Sequence, residues 1–218
     1  EEKERREKAS YPPFYVMDKI EGVTLKEKAE KDKAYEGNIR ESLGLIKDIG
    51  SALVKAHKAG LIHRDLKPKN IFVRQDGTPV IIDFGICQFV GGRRHSLTGE
   101  EPTDYDFIPP ELSVGAIDES KVCPANDVYA VGKLLYYLIS GGKQLPMEQY
   151  KEPEYDLRKK DPSRLMELVY HVFDATITSK AEARLQTIED MLSLIDRELL
   201  EGSRCIFCRK GSYKPLSR

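Results

Sequence analysis

No apolar run in this chain approaches the ~20 residues that a membrane-spanning helix requires. The first ten residues are rich in Glu, Lys and Arg and have no apolar centre, so they do not read as a secretory signal. Cysteine is scarce. Four in 218 residues do not make a disulfide framework, and a reducing cytoplasm is the expected compartment. A net charge of -1 gives no electrostatic case for nucleic acid or an anionic membrane as the main partner. No internal repeat is visible, and Glu1 to Pro13 contains no glycine. What remains is 40% apolar and 33% charged, the balance of a globular chain with one sizeable core and a heavily charged surface.

Glu1 to Lys8 is a balanced charge run with helical propensity, closed by the helix-breaking Tyr11-Pro12-Pro13. Phe14-Tyr15-Val16-Met17 reads as a buried strand. Asp18 to Gly22 reads as a linker ending in a turn residue, and Thr24 as the cap of a short charged helix beginning near Leu25. Leu43, Ile46, Ile49, Leu53 and Ala56 recur at spacings of three and four, which predicts a helix over Ile39 to Lys58 stopped by Ala59-Gly60. Ile71-Phe72-Val73 and Val80-Ile81-Ile82 flank Gln75-Asp76-Gly77 and predict a β-hairpin. Gly85 to Thr103 has little periodicity and reads as a long loop. Asp127 to Ser140 is apolar nearly all round, as in a helix at the centre of a domain. Leu165 to Phe173 and Ile188 to Leu200 are amphipathic, with Gly202 closing the last helix.

The chemistry is concentrated in His63-Arg64-Asp65-Leu66-Lys67-Pro68-Lys69-Asn70 and, after the hairpin, Asp83-Phe84-Gly85. Phosphoryl transfer needs a carboxylate to orient the attacking hydroxyl and a cation to offset charge on the moving group. It also needs oxygen ligands for Mg²⁺. Asp65, Lys67, Asn70 and Asp83 are those residue types. Each short motif alone is commonly a surface salt bridge or a turn. Their order, with the hairpin between them, is what carries the reading.

From Phe14 to Leu200 the chain resembles the eukaryotic-type (Hanks-type) Ser/Thr protein kinases. The resemblance implies an α+β, protein-kinase-like fold: a mainly α-helical large lobe with a remnant of the small lobe. Residues 1–13 would be a charged N-terminal segment, either a solvated helix or frayed terminus or the end of a small-lobe helix. Residues 14–22 would be the last small-lobe strand and hinge, residues 23–202 the large lobe, and residues 203–218 a Cys-containing tail. Met17 would be the gatekeeper, the backbone of Asp18 and Ile20 would bind adenine, and Phe72 would floor the base. Asp65 would be the base or hydroxyl-orienting group and Lys67 would neutralise the γ-phosphate of ATP. Asn70 and Asp83 would hold Mg²⁺. His63 belongs to the same loop, and Arg64 would contact a phosphorylated residue among Ser96, Thr98 and Thr103. Phe107 to Glu111 resembles the element that ends the activation segment, and Glu111 would pair with Arg184. Asp127 would anchor the catalytic loop, with Gly132 on the same helix. Thr103-Asp104-Tyr105-Asp106 departs from the family's Gly-Thr pattern by about one register position, so the docking of a protein substrate with a Ser/Thr acceptor is expected to be unusual.

A complete kinase also has a Gly-rich loop over the phosphates, a strand Lys and a helix Glu before the Phe14 strand. The thirteen residues ahead of Phe14 supply neither a Gly-rich loop nor a strand carrying a Lys. The expectation is a fragment or processed form of a larger kinase, inactive or weakly active alone. A missing small-lobe segment or another chain would then complete the site. The alternative is a catalytically inert kinase-like binding or regulatory module. At the other end, Cys205-Ile206-Phe207-Cys208 followed by Gly211 has the shape of half a zinc ribbon. Cys205 and Cys208 are therefore candidate Zn²⁺ ligands, with incidental or redox-active thiols as the alternative.

Overall fold

The computed structural model describes residues 18–84, 106–113 and 119–202. The chain first forms β1 (Val23–Thr24), which runs directly into α1 (Leu25–Glu30). Thr24 closes a capping box: its hydroxyl accepts from Glu27 N at 3.2 Å, and Glu27 Oε2 accepts from Thr24 N at 3.2 Å. Two orphan donors at the helix start are thereby satisfied. The predicted long helix is α2 (Ile39–Lys58), with Ala59 as its C-cap and Gly60 at φ +78°. That is the left-handed conformation at which glycine ends helices most readily.

The hairpin is β2 (Ile71–Val73) and β3 (Pro79–Ile81), the second strand lying one residue earlier than the apolar run indicates. Asp76 accepts from Thr78 N in the turn, and Gly77 supplies the positive φ. The three strands form one antiparallel sheet in the order β1-β2-β3. β1 was not legible in the sequence, where Gly22 reads as a turn residue. Gly22 is instead a place of close approach: a Cβ there would lie 2.6 Å from the carbonyl oxygen of Val73. Glycine allows the linker to lie against β2.

Then come the short α3 (Pro110–Ser113), α4 (Pro124–Ile139), α5 (Arg164–Thr176) and α6 (Ile188–Gly202). Every residue of α4 from Ala125 to Ile139 is buried, because α2, α5 and α6 all pack on it and on one another. Their apolar stripes (Leu43, Ile46, Ile49 and Leu53 on α2, Val169 and Phe173 on α5, Ile188, Met191 and Ile195 on α6) converge there. Each such side chain contributes about 1.5–3 kcal/mol on full burial. The sheet and α1 sit at one end of this core, with β3 against α2 and α1 against β1 and β2.

A charged tie holds α3 to the helices. Glu111 takes two parallel hydrogen bonds from Arg184, at 2.7 and 2.9 Å, and a third at 2.7 Å from Asn126 on α4. Arg184, which is 3% exposed, also donates to the carbonyls of Ala125 and Thr178. Burial pushes the Glu111 carboxyl up, but the hydrogen bonds from Arg184, its own backbone and Asn126 outweigh it. The group is held below its ordinary value.

α4 and α5 cross tightly at Gly132, where a Cβ would sit 2.3 Å from Thr176 Oγ1 and 2.9 Å from its Cβ. Gly132→Ala should therefore cost about 1–3 kcal/mol by overpacking, despite alanine's better helix propensity. A fall in the urea midpoint checks this, and an unchanged or higher midpoint would contradict the close crossing. Arg184→Ala strands a buried carboxylate and should cost about 3–5 kcal/mol at neutral pH. A carboxyl held below its unfolded value stabilises above that value and loses the contribution as pH falls through the folded one. The deficit of Arg184→Ala should thus shrink as pH falls below the ordinary value of 4.5. Urea titrations of both proteins at several pH values measure it.

Candidate active site

The segment between α2 and β2 is held from below by one carboxylate. Asp127, in the first turn of α4 and 1% exposed, accepts from the backbone N of His63 at 2.9 Å and of Arg64 at 3.0 Å. It also accepts from His57 Nε2 on α2 at 2.7 Å. A carboxylate can only accept, so His57 Nε2 is the donor in this contact. Arg64 sits at φ +70°, a conformation a non-glycine residue adopts at a cost. The two backbone bonds to Asp127 bracket that strained residue.

His63 joins the two halves of the motif. Its ring is fully buried and donates from Nε2 to the Ile82 carbonyl at 2.8 Å. It also packs against Phe84, with centroids 4.8 Å apart. Ile82 N in turn donates to the carbonyl of Asn70 at 2.9 Å. The hairpin therefore returns the chain so that Asn70, at the start of β2, and Asp83, just past β3, stand at the same end of the sheet. Asp83 is at φ +56°, a second non-glycine residue in the left-handed region. Strain of this kind clusters at functional sites.

Asp65, Lys67 and Asn70 form a contact triad. Lys67 Nζ is 3.2 Å from Asp65 Oδ2. Asn70 Nδ2 donates to the Asp65 carbonyl at 2.9 Å and to its Oδ2 at 3.2 Å. The turn Pro68–Asn70 lets residues two and five positions on reach back to Asp65. Asp65 keeps nearly a third of its side-chain surface open, whereas Lys67 keeps 8%. A partly open carboxylate beside a nearly buried ammonium and an amide suits the handling of a hydroxyl next to a negatively charged group. An Asn amide oxygen and an Asp carboxylate are hard oxygen donors of the kind Mg²⁺ takes.

Phe72 alternates with the buried Ile71 and Val73, and so occupies the other face of the sheet, half-buried. Thr24 and Val80 are its register partners. Asp18 is exposed and Ile20 half-buried, in backbone without regular structure. Glu111 and Arg184 are not part of this cluster; they tie down α3. Met17, Ser96, Thr98, Thr103, Cys205 and Cys208 lie outside the described residues. Among the described residues no group of three or more His, Cys, Asp or Glu is placed to hold a metal ion by itself.

Two residues escaped sequence reasoning. His57 lies in the last turn of α2, where a basic residue reads as a helix-end charge. Its partner is seventy positions away. Lys133 offered a clearer signal, a single cation inside the apolar run of α4.

Comparison with known proteins agrees with this arrangement. The family model of the protein kinase domain matches residues 7–201. Serine/threonine-protein kinase PknA of Mycobacterium tuberculosis is 31% identical over 164 residues, which cover 72% of this chain and 37% of PknA. A probable serine/threonine-protein kinase PknB of Lactococcus lactis is 32% identical over 135 residues, covering 62% of this chain and 20% of that one. The chain thus spans about a third or less of these relatives' length. In three dimensions the kinase domain of Mycobacterium tuberculosis PknI superposes with a TM-score of 0.58 at 20% identity, over 84% of this chain and 64% of the other. That likeness is one of fold. With residues 7–201, most of its length, matched by the family model, the chain belongs to the protein kinase family.

Proposed function

We propose that the protein of which this chain is part transfers the γ-phosphate of ATP to a Ser or Thr hydroxyl of a protein substrate. The observation that carries this reading is the Asp65–Lys67–Asn70 triad, held on Asp127 and joined through His63 and Ile82 to Asp83. Asp65 orients the acceptor hydroxyl toward the phosphorus. In a loose transition state little proton abstraction is needed early, so the carboxylate acts mainly by positioning. Lys67, already paired with Asp65, supplies positive charge beside the reacting oxygen. Asn70 and Asp83 offer the oxygen ligands for Mg²⁺, which when bound with ATP offsets charge on the phosphate oxygens. Phe72, on the open face of β2, is placed to floor the adenine, with the backbone near Asp18 and Ile20 as its edge.

A Gly-rich loop and a strand Lys would complete the nucleotide clamp. Their place is ahead of the strand read at Phe14 to Met17, on another part of the protein or on a second chain. Arg64 is the residue for a phosphorylated Ser96, Thr98 or Thr103, since a guanidinium binds phosphate through paired hydrogen bonds. A cytoplasmic site of action is part of this reading, and the low cysteine content is compatible with it.

The second reading, a kinase-like module that binds without catalysing, has less support. Such a module does not require an intact triad together with strained backbone at Arg64 and Asp83. Transfer of radiolabelled phosphate from ATP to a protein acceptor separates the two. Asp65→Asn and Asp83→Ala in the full protein should each lower incorporation by about 10²-fold or more. Label that survives both substitutions would remove these residues from the mechanism, and no Mg·ATP binding by the full protein would favour the module. For the tail, zinc measured by native mass spectrometry should be present at one ion per chain and lost on Cys205→Ser. Zinc-free wild-type protein would leave the pair as ordinary thiols.

A further inference from the structure

Two adjacent polar side chains are buried in the first turn of α4, Asn126 and Asp127, each 1% exposed. A buried polar group is tolerated when its donors and acceptors are met. Asp127 meets its share on the loop of the candidate site, taking the backbone N–H groups of His63 and Arg64. Asn126 serves a different part of the chain. Its Oδ1 accepts from Cys123 N at 2.7 Å, and its Nδ2 donates to Glu111 Oε1 on α3 at 2.7 Å.

The first of these bonds is a cap. Asn126 is the third residue of α4, and an acceptor there reaches back to the amide of the N-cap residue, Cys123. The second bond is not needed for capping. Glu111 already receives both arms of Arg184, and Arg184 Nη1 falls on the same Oε1 that Asn126 reaches. Arg184 Nη1 also donates to the Ala125 carbonyl at 3.2 Å. α3 is thus docked on the turn that carries Asp127, in part through the residue immediately before it. On the loop side, Arg64 sits at φ +70°. Strained backbone persists only where its surroundings over-determine it. The bond from Arg64 N to Asp127 is one of those determinants, and Asp65 is the next residue along the chain.

We propose that Asn126 is a positioning residue for phosphoryl transfer: its amide ties α3 to the first turn of α4, so that the seating of Glu111 and the backbone geometry of His63 and Arg64 are coupled through the neighbouring Asp127. The effect on turnover rests on the kinase reading given above. The coupling does not, because it is a property of the folded chain. A cap alone calls only for the Oδ1 acceptor. The Nδ2 donor on Glu111 is what makes Asn126 a link.

The test uses the full protein carrying Asn126→Asp, Glu111→Gln and the Asn126→Asp/Glu111→Gln double variant. Asn126→Asp keeps an acceptor for Cys123 N and replaces the donor by a second carboxylate beside Glu111. The double variant restores an amide–carboxylate pair with donor and acceptor exchanged. Amide hydrogen exchange is followed in residues 107–112, in residues 61–66, and in α5 as a reference. Asn126→Asp should speed exchange in the first two stretches and leave α5 unchanged. The double variant should exchange more slowly than Asn126→Asp alone in residues 61–66. With dephosphorylated casein as acceptor, kcat should fall at least about threefold in Asn126→Asp at an unchanged KM for ATP, and recover in part in the double variant. Faster exchange in residues 107–112 alone, in all three stretches equally, or in none overturns the coupling. Coupling seen by exchange with equal kcat values overturns the positioning role. If the wild type transfers no phosphate, the kinase reading fails, while the exchange data still decide the coupling. Should Asn126→Asp fail to fold, Asn126→Ala removes the tie without adding charge and carries the same comparison of the three stretches.

Discussion

Three N–H groups from two separate stretches of chain end on one buried carboxylate, that of Asp127. The rest of the site depends on this convergence. Asp127 is placed by α4, the most buried helix, so the reference point for the loop lies in the most deeply buried part of the core. Two of its bonds fix the backbone at His63 and Arg64, where the chain makes its left-handed turn. These bonds help to offset the strained conformation there, and Lys67 and Asn70 then orient the Asp65 that follows. The third bond, from His57, ties the end of α2 to the start of α4. The loop is thereby referred to both long helices that bracket it.

From that anchor the order passes outward by hydrogen bonds that each end on a main-chain carbonyl. His63 hands it to Ile82, Ile82 to Asn70, and Asn70 to Asp65. The path closes on itself, so the loop and the short hairpin are held in fixed relation to each other. The sheet owes its stability to α1 and α2, since an isolated hairpin of three-residue strands would be marginal. A second charged layer, around Tyr129, does for the far segment what Asp127 does for the loop. There Arg184 and Glu111 face each other with both charges hydrogen-bonded, the condition under which a buried ion pair is tolerated.

Much of this was legible in the sequence, for identifiable reasons. The period of α2 was plain because one face of a twenty-residue helix repeats five or six times. The all-round apolar α4 could be read as central for the same reason. The capping box at Thr24 and the turn at Gly77 are local signals, complete within four residues. β1 was not legible. Two residues give no period, and their strand character exists only because β2 lies alongside. Gly22 looked like a turn for the same reason, since its need is proximity to Val73, not a backbone angle.

The sequence by itself determined the residue types of the site and their order along the chain, because a carboxylate, a cation and oxygen donors are recognised from residue identity and spacing alone. It also determined the long helices, because periodicity is a one-dimensional property. The tertiary structure decided the partners. That His57 meets Asp127 and that Lys133 spends its donors on Leu145 and Met147 are facts about pairs, the first separated by seventy positions. Nothing local marks such partners. A buried polar group is worth its desolvation only when a specific second group is brought to it, and that meeting is made by the packing of α2, α5 and α6 around α4.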